Sequence, residues 1–167
     1  NLVPPGFLAS VAGRLRWSFA LQAAGVALVV FLAVQALGFW LGGTVLTPQP
    51  GFWLFLVVII LTTPVQAAAE EVFFRGYLLQ SVGSAARRWW VGVVASSLLF
   101  ALAHGSQSPA LFVNRLAFGL LAGLLVWRTG GLEAAIGTHV INNVLAFTLA
   151  GLTGTIAQAR AISEIGW

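Results

Sequence analysis

The 167-residue sequence contains no cysteine, no methionine, no lysine and no aspartate, and only 7% of its residues are charged. Without cysteine the chain has no disulfide, no thiolate metal ligand and no cysteine nucleophile. Without aspartate it cannot carry a catalytic pair of aspartates. Soluble domains have roughly a quarter of their residues charged. The hydrophobic content of 59% and the mean hydropathy of +0.96 therefore predict a membrane protein.

The formal net charge of +4 comes from eight arginines and four glutamates. The excess of positive charge reflects a scarcity of acids, because the arginines are dispersed along the chain. Nucleic-acid binding needs Lys and Arg clustered on one face. We therefore expect no nucleic-acid partner.

Long uncharged stretches predict an all-α fold, a polytopic transmembrane helical bundle with about five membrane helices. The 53 residues from Trp17 to Ala69 carry no charge, and a helix needs roughly 20 apolar residues to cross a bilayer core. Glycines and prolines in the loop Gly42 to Gly51 divide this stretch in two. The five predicted segments run from about Trp17 to Leu41, Phe52 to Val82, Trp89 to Ala103, Pro109 to Trp127 and Leu132 to Leu152.

The arginines also predict the orientation of the bundle. Arg14 and Arg16 precede the first segment, Arg87 and Arg88 lie between the second and third, and Arg128 follows the fourth. The loops on the opposite side contain no arginine. The positive-inside rule then puts the N-terminus in the cytoplasm and the C-terminus outside.

No composition shift, internal repeat or low-complexity tract divides the sequence. We therefore predict one membrane-embedded domain over residues 1–167, in contact with membrane lipids. Gly119 and Gly123 form a pair of small residues four apart on the fourth segment. Such pairs let helices approach closely, and we expect this one to serve packing within the chain.

Polar residues inside the predicted segments are candidates for function, because an ionisable side chain at membrane depth costs at least ~2.5 kcal/mol on insertion scales. They are few and they occur in groups. They are Glu70, Glu71 and Arg75 in the second segment, His104 at the end of the third, Asn114 and Arg115 in the fourth, and Glu133, His139, Asn142 and Asn143 in the fifth.

Helical spacing assigns different surroundings to the two neighbouring glutamates. Glu71 and Arg75 are four residues apart in the order that favours an ion pair, and we expect them to be structural. Glu70 is rotated by about 100° from Glu71. We expect Glu70 to face elsewhere without a local partner, which makes it the stronger candidate for chemistry.

The two histidines belong to different segments. His139 and Asn143 are four apart and share one helical face, whereas Asn142 is expected to point away. Counting residues from the helix turns puts Glu70 and His104 at the same depth. The same counting puts His139 at a shallower level.

These residues suit the hydrolysis of an amide within or beside the membrane. In one scheme Glu70 and His104 activate a water molecule, while His139 and Asn143 donate hydrogen bonds to the oxyanion. In a second scheme Glu70, His104 and His139 are the three ligands of a catalytic zinc ion. The adjacent His-Glu-x-x-His signature of zinc proteases is absent, and the sequence leaves both schemes open.

Other classes of protein have little support. No glycine-rich loop follows a strand, which argues against nucleotide binding. Ser96, Ser97 and Ser106 are not part of a nucleophile motif. A small transporter would show paired broken helices or an internal repeat, and neither is present in the sequence.

Three short motifs resemble a known family. Glu-Glu-x-x-x-Arg at Glu70 to Arg75, Phe-x-x-x-His at Phe100 to His104 and His-x-x-x-Asn at His139 to Asn143 are similar to the motifs of the CPBP family. This family comprises CAAX prenyl endopeptidases and bacterial bacteriocin-processing or immunity proteins, also called Abi proteins. The resemblance covers a motif core of residues 70–143, with the three motifs in order.

The resemblance implies an intramembrane endopeptidase that hydrolyses a peptide bond of a membrane-associated or lipidated substrate. It implies that Glu70 and His104 activate water and that His139 and Asn143 donate hydrogen bonds to the oxyanion. Glu71 and Arg75 would be supporting residues. The family is commonly called a metalloprotease, yet a metal-independent glutamate mechanism is also argued for it. The cofactor expectation is therefore either none or one divalent metal, zinc.

The expected partner is a peptide or protein substrate, and whether it is prenylated stays open. We expect a multi-pass protein in a bacterial plasma membrane. The alternative is a non-catalytic membrane protein that binds a peptide or confers immunity with the same polar cluster. The intact motif residues argue against this alternative, because a protein without catalysis need not retain all of them.

Overall fold

A computed structural model describes residues 4, 6–42, 45–105 and 107–155 of the chain. Residues 43 and 44 of the predicted first loop, and Ser106, lie outside these ranges. The elements in chain order are α1 (Gly6–Ala9), α2 (Trp17–Gly42), α3 (Phe52–Glu71), a π-helical segment (Val72–Leu78), α4 (Leu79–Ala85), α5 (Trp89–Leu102), α6 (Pro109–Thr129) and α7 (Glu133–Leu152). No strand forms within the described ranges, which confirms the all-α prediction.

Within the part of the chain that the structure describes, four helical stretches are long and apolar enough to cross a membrane. They are Trp17–Gly42, Phe52–Ala85, Pro109–Thr129 and Glu133–Leu152. The fifth predicted segment corresponds to α5, which is apolar but shorter. The structure thus confirms a polytopic helical bundle, with segment ends that differ from the prediction by at most three residues. The cytoplasmic position of the N-terminus and the single-domain organisation stay predictions.

The second predicted segment is not one regular helix. α3 ends at Glu71, and the chain continues in wider π-helical turns before α4 resumes the α-helical geometry. α3 packs against α7, whereas α4 packs against α5. Apolar periodicity does not distinguish a π-helical turn from an α-helical one, so this change of geometry could not be predicted from the sequence. π-helical turns occur frequently at functional sites.

Glycines bring α5 and α6 into close contact. A Cβ atom on Gly119 would lie 2.9 Å from the Cβ of Ser97, and one on Gly123 would lie 2.9 Å from Cγ1 of Val93. Any side chain larger than hydrogen at these positions would push the helices apart. The predicted role of this glycine pair in packing within the chain is confirmed.

The segment before α2 is fixed to the turn between α6 and α7. The backbone N and Nε of Arg16 each donate to Oε1 of Glu133 at 2.9 Å, and Nη2 donates to Oε2 at 2.9 Å. Hydrogen bonding to Glu133 raises the pKa of Arg16 above its ordinary value. Gly130 ends α6 with φ of 66°, a left-handed conformation that glycine adopts readily. Gly130 therefore allows a tight connection between α6 and α7.

The turn between α6 and α7 also contacts the π-helical segment. Cδ1 of Leu132 lies 3.3 Å from the position that a Cβ atom on Gly76 would occupy. Leu132 in the turn therefore lies at the level of Gly76. Glu71 is five residues from Gly76, and His139 is seven residues from Leu132, so His139 lies at the depth of the glutamates. The prediction that His139 is shallower is therefore wrong, since it assumed that both helix turns lie at the same level.

Candidate active site

One imidazole lies between two neighbouring carboxylates. Nδ1 of His139 is 2.7 Å from Oε1 of Glu71, and Nε2 of His139 is 3.8 Å from Oε2 of Glu70. The His139 residue is only 2% exposed. Glu70 and Glu71 therefore approach the ring from different sides, as the helical spacing allows, but they share His139 as a partner. The two ring nitrogens point to opposite sides, so a single ring contacts carboxylates that are about 100° apart on α3.

Glu71 and Arg75 form the predicted ion pair. Nη1 of Arg75 donates to Oε1 of Glu71 at 3.0 Å, and both side chains are completely buried. Nη2 of Arg75 also donates to the carbonyl oxygen of Gly119 at 3.4 Å. The guanidinium lies 4.4 Å above the ring of Phe100. Arg75 therefore connects the π-helical segment to both α5 and α6.

Glu70 is held from one side only. Its Oε1 accepts a hydrogen bond from Nε2 of Gln66 at 3.0 Å. Its Oε2 is buried and has no hydrogen-bond partner among the described residues. The prediction that Glu70 lacks a local partner is thus wrong. Gln66 lies four residues earlier on α3, and this spacing is a signal that the sequence contains.

A polar cavity of about 190 Å³ opens beside His139. It is lined by Gln66, Phe100, His104, Asn114, Arg115, Phe118, His139, Asn142, Asn143 and Phe147. Three of the four predicted catalytic residues therefore face one cavity. The fourth, Glu70, is not a lining residue, but it contacts two residues that are, Gln66 and His139. The volume is sufficient for several water molecules.

Hydrogen bonds fix which atoms of His104 and Asn143 remain available. Nδ1 of His104 is 2.7 Å from the carbonyl oxygen of Phe100. A carbonyl only accepts, so Nδ1 carries the proton and Nε2 of the neutral ring is an acceptor. Nδ2 of Asn142 donates to Oδ1 of Asn143 at 2.9 Å. This occupies the oxygen of Asn143 and leaves its N–H groups as donors.

Asn142 does not point away as the helical spacing predicted. It lines the same cavity as His139 and Asn143. The cavity spans the roughly 100° that separates consecutive residues of α7. Phe118 is a second lining residue that the sequence did not single out, and its ring packs edge-on against His139 with centroids 4.9 Å apart. It is one of twelve phenylalanines, so composition gave no signal for it.

The proposed zinc-ligand set does not fit this arrangement. Among the described residues, no three His, Asp or Glu side chains cluster closely enough to hold a metal ion. We therefore assign no chemical step to a metal bound by Glu70, His104 and His139.

More than half of the chain matches a known protein family. Residues 49–145, which are 97 of the 167 residues, match the family model described as type II CAAX prenyl endopeptidase Rce1-like. The matched range contains all six residues that the sequence analysis identified as catalytic or supporting. They are Glu70, Glu71, Arg75, His104, His139 and Asn143. The resemblance to the CPBP family is thereby confirmed.

A curated relative is the uncharacterized protein YyaK of Bacillus subtilis (strain 168). It is 32% identical over 98 residues, which are 55% of this chain and 32% of the relative. The alignment thus covers about a third of the relative's length. No solved structure matches the chain. Because the family model covers more than half of the sequence, the chain belongs to the Rce1-like family of type II CAAX prenyl endopeptidases, a family of integral membrane proteases.

Proposed function

We propose that this chain is the catalytic core of an intramembrane endopeptidase. The proposed substrate is a membrane-associated or lipidated peptide or protein, and the proposed location is a bacterial plasma membrane. One observation carries the proposal. Oε2 of Glu70 is a buried carboxylate oxygen without a protein partner among the described residues, and it lies 3.8 Å from a histidine that lines a polar cavity between apolar helices.

Glu70 and His104 are the proposed activators of water. Gln66 holds one oxygen of Glu70, so the other oxygen is free to accept a proton from water. The proton on Nδ1 of His104 leaves Nε2 as a second acceptor. A water molecule that donates to both groups presents its lone pair to a carbonyl carbon, and this is general base catalysis.

His139 and Asn143 are the proposed donors to the oxyanion. Asn143 offers its N–H groups, because its oxygen already accepts from Asn142. Nδ1 of His139 donates to Glu71, so Nε2 donates only when the ring carries a second proton. Fixed donors aimed at the developing negative charge lower the barrier of acyl transfer.

The proposed reaction balances without a further reactant. The hydroxyl of water bonds to the carbonyl carbon, and the C–N bond then breaks. The proton taken by Glu70 or His104 passes to the departing amine. Glu71 and Arg75 act as supporting residues, because their ion pair fixes the ring of His139 against α3.

The test is cleavage of a fluorescent, farnesylated peptide that ends in a C-a-a-X sequence, with the protein in liposomes. We expect wild-type protein to release the three C-terminal residues, detected by mass spectrometry. Glu70→Gln should lower kcat/KM by about 10²- to 10⁴-fold, the usual contribution of a general base. Its thermal stability should be unchanged, because glutamine has the same shape and can still bond Gln66.

Arg128→Gln is the matched control, since Arg128 is exposed at the end of α6 and its guanidinium lies over the ring of its neighbour Trp127. It should retain the wild-type rate. An unfarnesylated version of the peptide tests whether the lipid is needed. Unchanged turnover in Glu70→Gln would remove Glu70 from the mechanism. Binding of the peptide without release of a product would favour the non-catalytic alternative.

A further inference from the structure

Arg115 is a charged residue of the cavity that the proposed mechanism does not use. Among the described residues that line the cavity, it is the one side chain that is charged irrespective of the protonation of the two histidines. It lies in α6, within a stretch that is apolar enough to span a membrane. Charged groups in such stretches are expensive and are functional candidates by default.

A relay of hydrogen bonds positions Arg115. Nε2 of Gln107 donates to the carbonyl oxygen of Ala101 at 2.7 Å, at the end of α5. This bond fixes the side-chain amide, so Oε1 of Gln107 is the atom that accepts from Nη1 of Arg115. The guanidinium is therefore oriented by a neutral group, which leaves its positive charge unbalanced.

Two other arginines near the core are balanced by a carboxylate. Arg16 pairs with Glu133 at 2.9 Å, and Arg75 pairs with Glu71 at 3.0 Å. In the described ranges of the chain, no carboxylate lies within ion-pair distance of Arg115. A guanidinium has five N–H donors in a planar fork that matches a carboxylate. Arg115 thus has both the charge and the donors for an anionic ligand.

We propose that Arg115 is a specificity-determining residue that binds the free C-terminal carboxylate of the peptide substrate. This inference rests on the proposed function, since the same cavity holds His104, His139 and Asn143. Ligand pockets commonly measure about 300 to 1,000 Å³. A cavity of about 190 Å³ is small for a chain that continues far beyond the cleaved bond. The anionic group of the substrate that lies closest to the cleaved bond is then its C-terminal carboxylate.

The test compares two farnesylated peptides that differ only at the C-terminus, one a free acid and the other an amide. Wild-type protein should cleave the acid at least about tenfold faster in kcat/KM, as expected for a hydrogen bond between charged groups. Arg115→Gln should bring the ratio close to one by slowing cleavage of the acid alone. Arg115→Lys should retain part of the preference, because it keeps the charge but loses the fork.

The ratio is measured within each preparation, so a smaller folded fraction in one variant does not affect it. Arg128→Gln is again the control and should keep the wild-type preference. A wild-type ratio of one, or a full preference in Arg115→Gln, would overturn the assignment of Arg115 while leaving the proposed protease intact.

A binding measurement separates this inference from the proposed function. If no peptide is cleaved, fluorescence anisotropy of the same two peptides still reports their affinities for the wild type and for Arg115→Gln. Tighter binding of the acid, lost in the variant, supports the assignment. Loss of the acid preference when phosphatidylglycerol is added to phosphatidylcholine vesicles would show that a lipid headgroup occupies Arg115, and would overturn it.

Discussion

The glutamate at the start of α7 and the glutamates at the end of α3 are bonded in opposite ways. Glu133 receives three hydrogen bonds from Arg16, which occupy both of its oxygens. Around Glu70 and Glu71, three polar atoms are buried without a partner among the described residues, namely Oε2 of each glutamate and Nε of Arg75. Buried polar atoms are bonded in the great majority of cases. This difference supports a structural role for the satisfied cluster, and it supports the proposal that the unsatisfied cluster binds water and substrate.

The largest expected change in stability follows removal of a charge from the unsatisfied cluster. Arg75→Ala leaves Glu71 buried without its cation, and this should lower the free energy of unfolding by about 3–5 kcal/mol. Urea or thermal unfolding in detergent measures the change. If this variant is as stable as the wild type, the ion pair with Arg75 does not stabilise the buried carboxylate of Glu71.

Breaking the satisfied cluster should cost less and leave the chemistry unchanged. Arg16 retains 32% of its side-chain exposure, so in Glu133→Ala water can solvate the stranded guanidinium. We expect a loss of about 1–3 kcal/mol, which lies between the values for exposed and buried pairs. Activity per folded molecule should equal that of the wild type. A lower kcat in correctly folded protein would show that the two clusters are coupled.

The smallest expected effect concerns the orientation of one amide in the cavity. Asn142→Ala removes the donor that occupies Oδ1 of Asn143, so the amide can rotate and turn its oxygen toward the substrate. We expect kcat to fall by about tenfold, the equivalent of roughly one hydrogen bond, with KM and stability nearly unchanged. Gln22→Ala, an exposed amide on α2, is the control. A rise in KM alone would instead assign Asn142 to substrate binding.

Most of the fold could be predicted from the sequence, because charge and apolar length determine which stretches can cross a bilayer. The start of every membrane segment was located to within one residue. What the sequence could not predict were the level and the rotation of the helices. The contact between Leu132 and Gly76, which brings His139 to the depth of the glutamates, depends on packing between residues that are distant in sequence.

The candidate site could be predicted as a set of residues but not as an arrangement. Rarity of ionisable side chains in apolar stretches identified Glu70, His104 and His139. The sequence paired Glu70 with His104, whereas the imidazole that contacts Glu70 is that of His139. Spacing of four residues correctly predicted the ion pair of Glu71 with Arg75, because both partners belong to one local stretch of helix. Contacts between helices have no comparable signal in a single sequence.

The short length of α5 bears on how a hydrolase within a bilayer obtains its second reactant. With 14 residues, α5 is about 21 Å long, whereas the hydrocarbon core is about 30 Å thick. A helix that is too short makes the lipid around it thin locally. His104 lies two residues beyond the end of α5, so we expect the side of the cavity that carries this histidine to lie next to the thinned lipid. We therefore expect solvent to have its shortest route into the protein at the residue proposed to accept a proton from it.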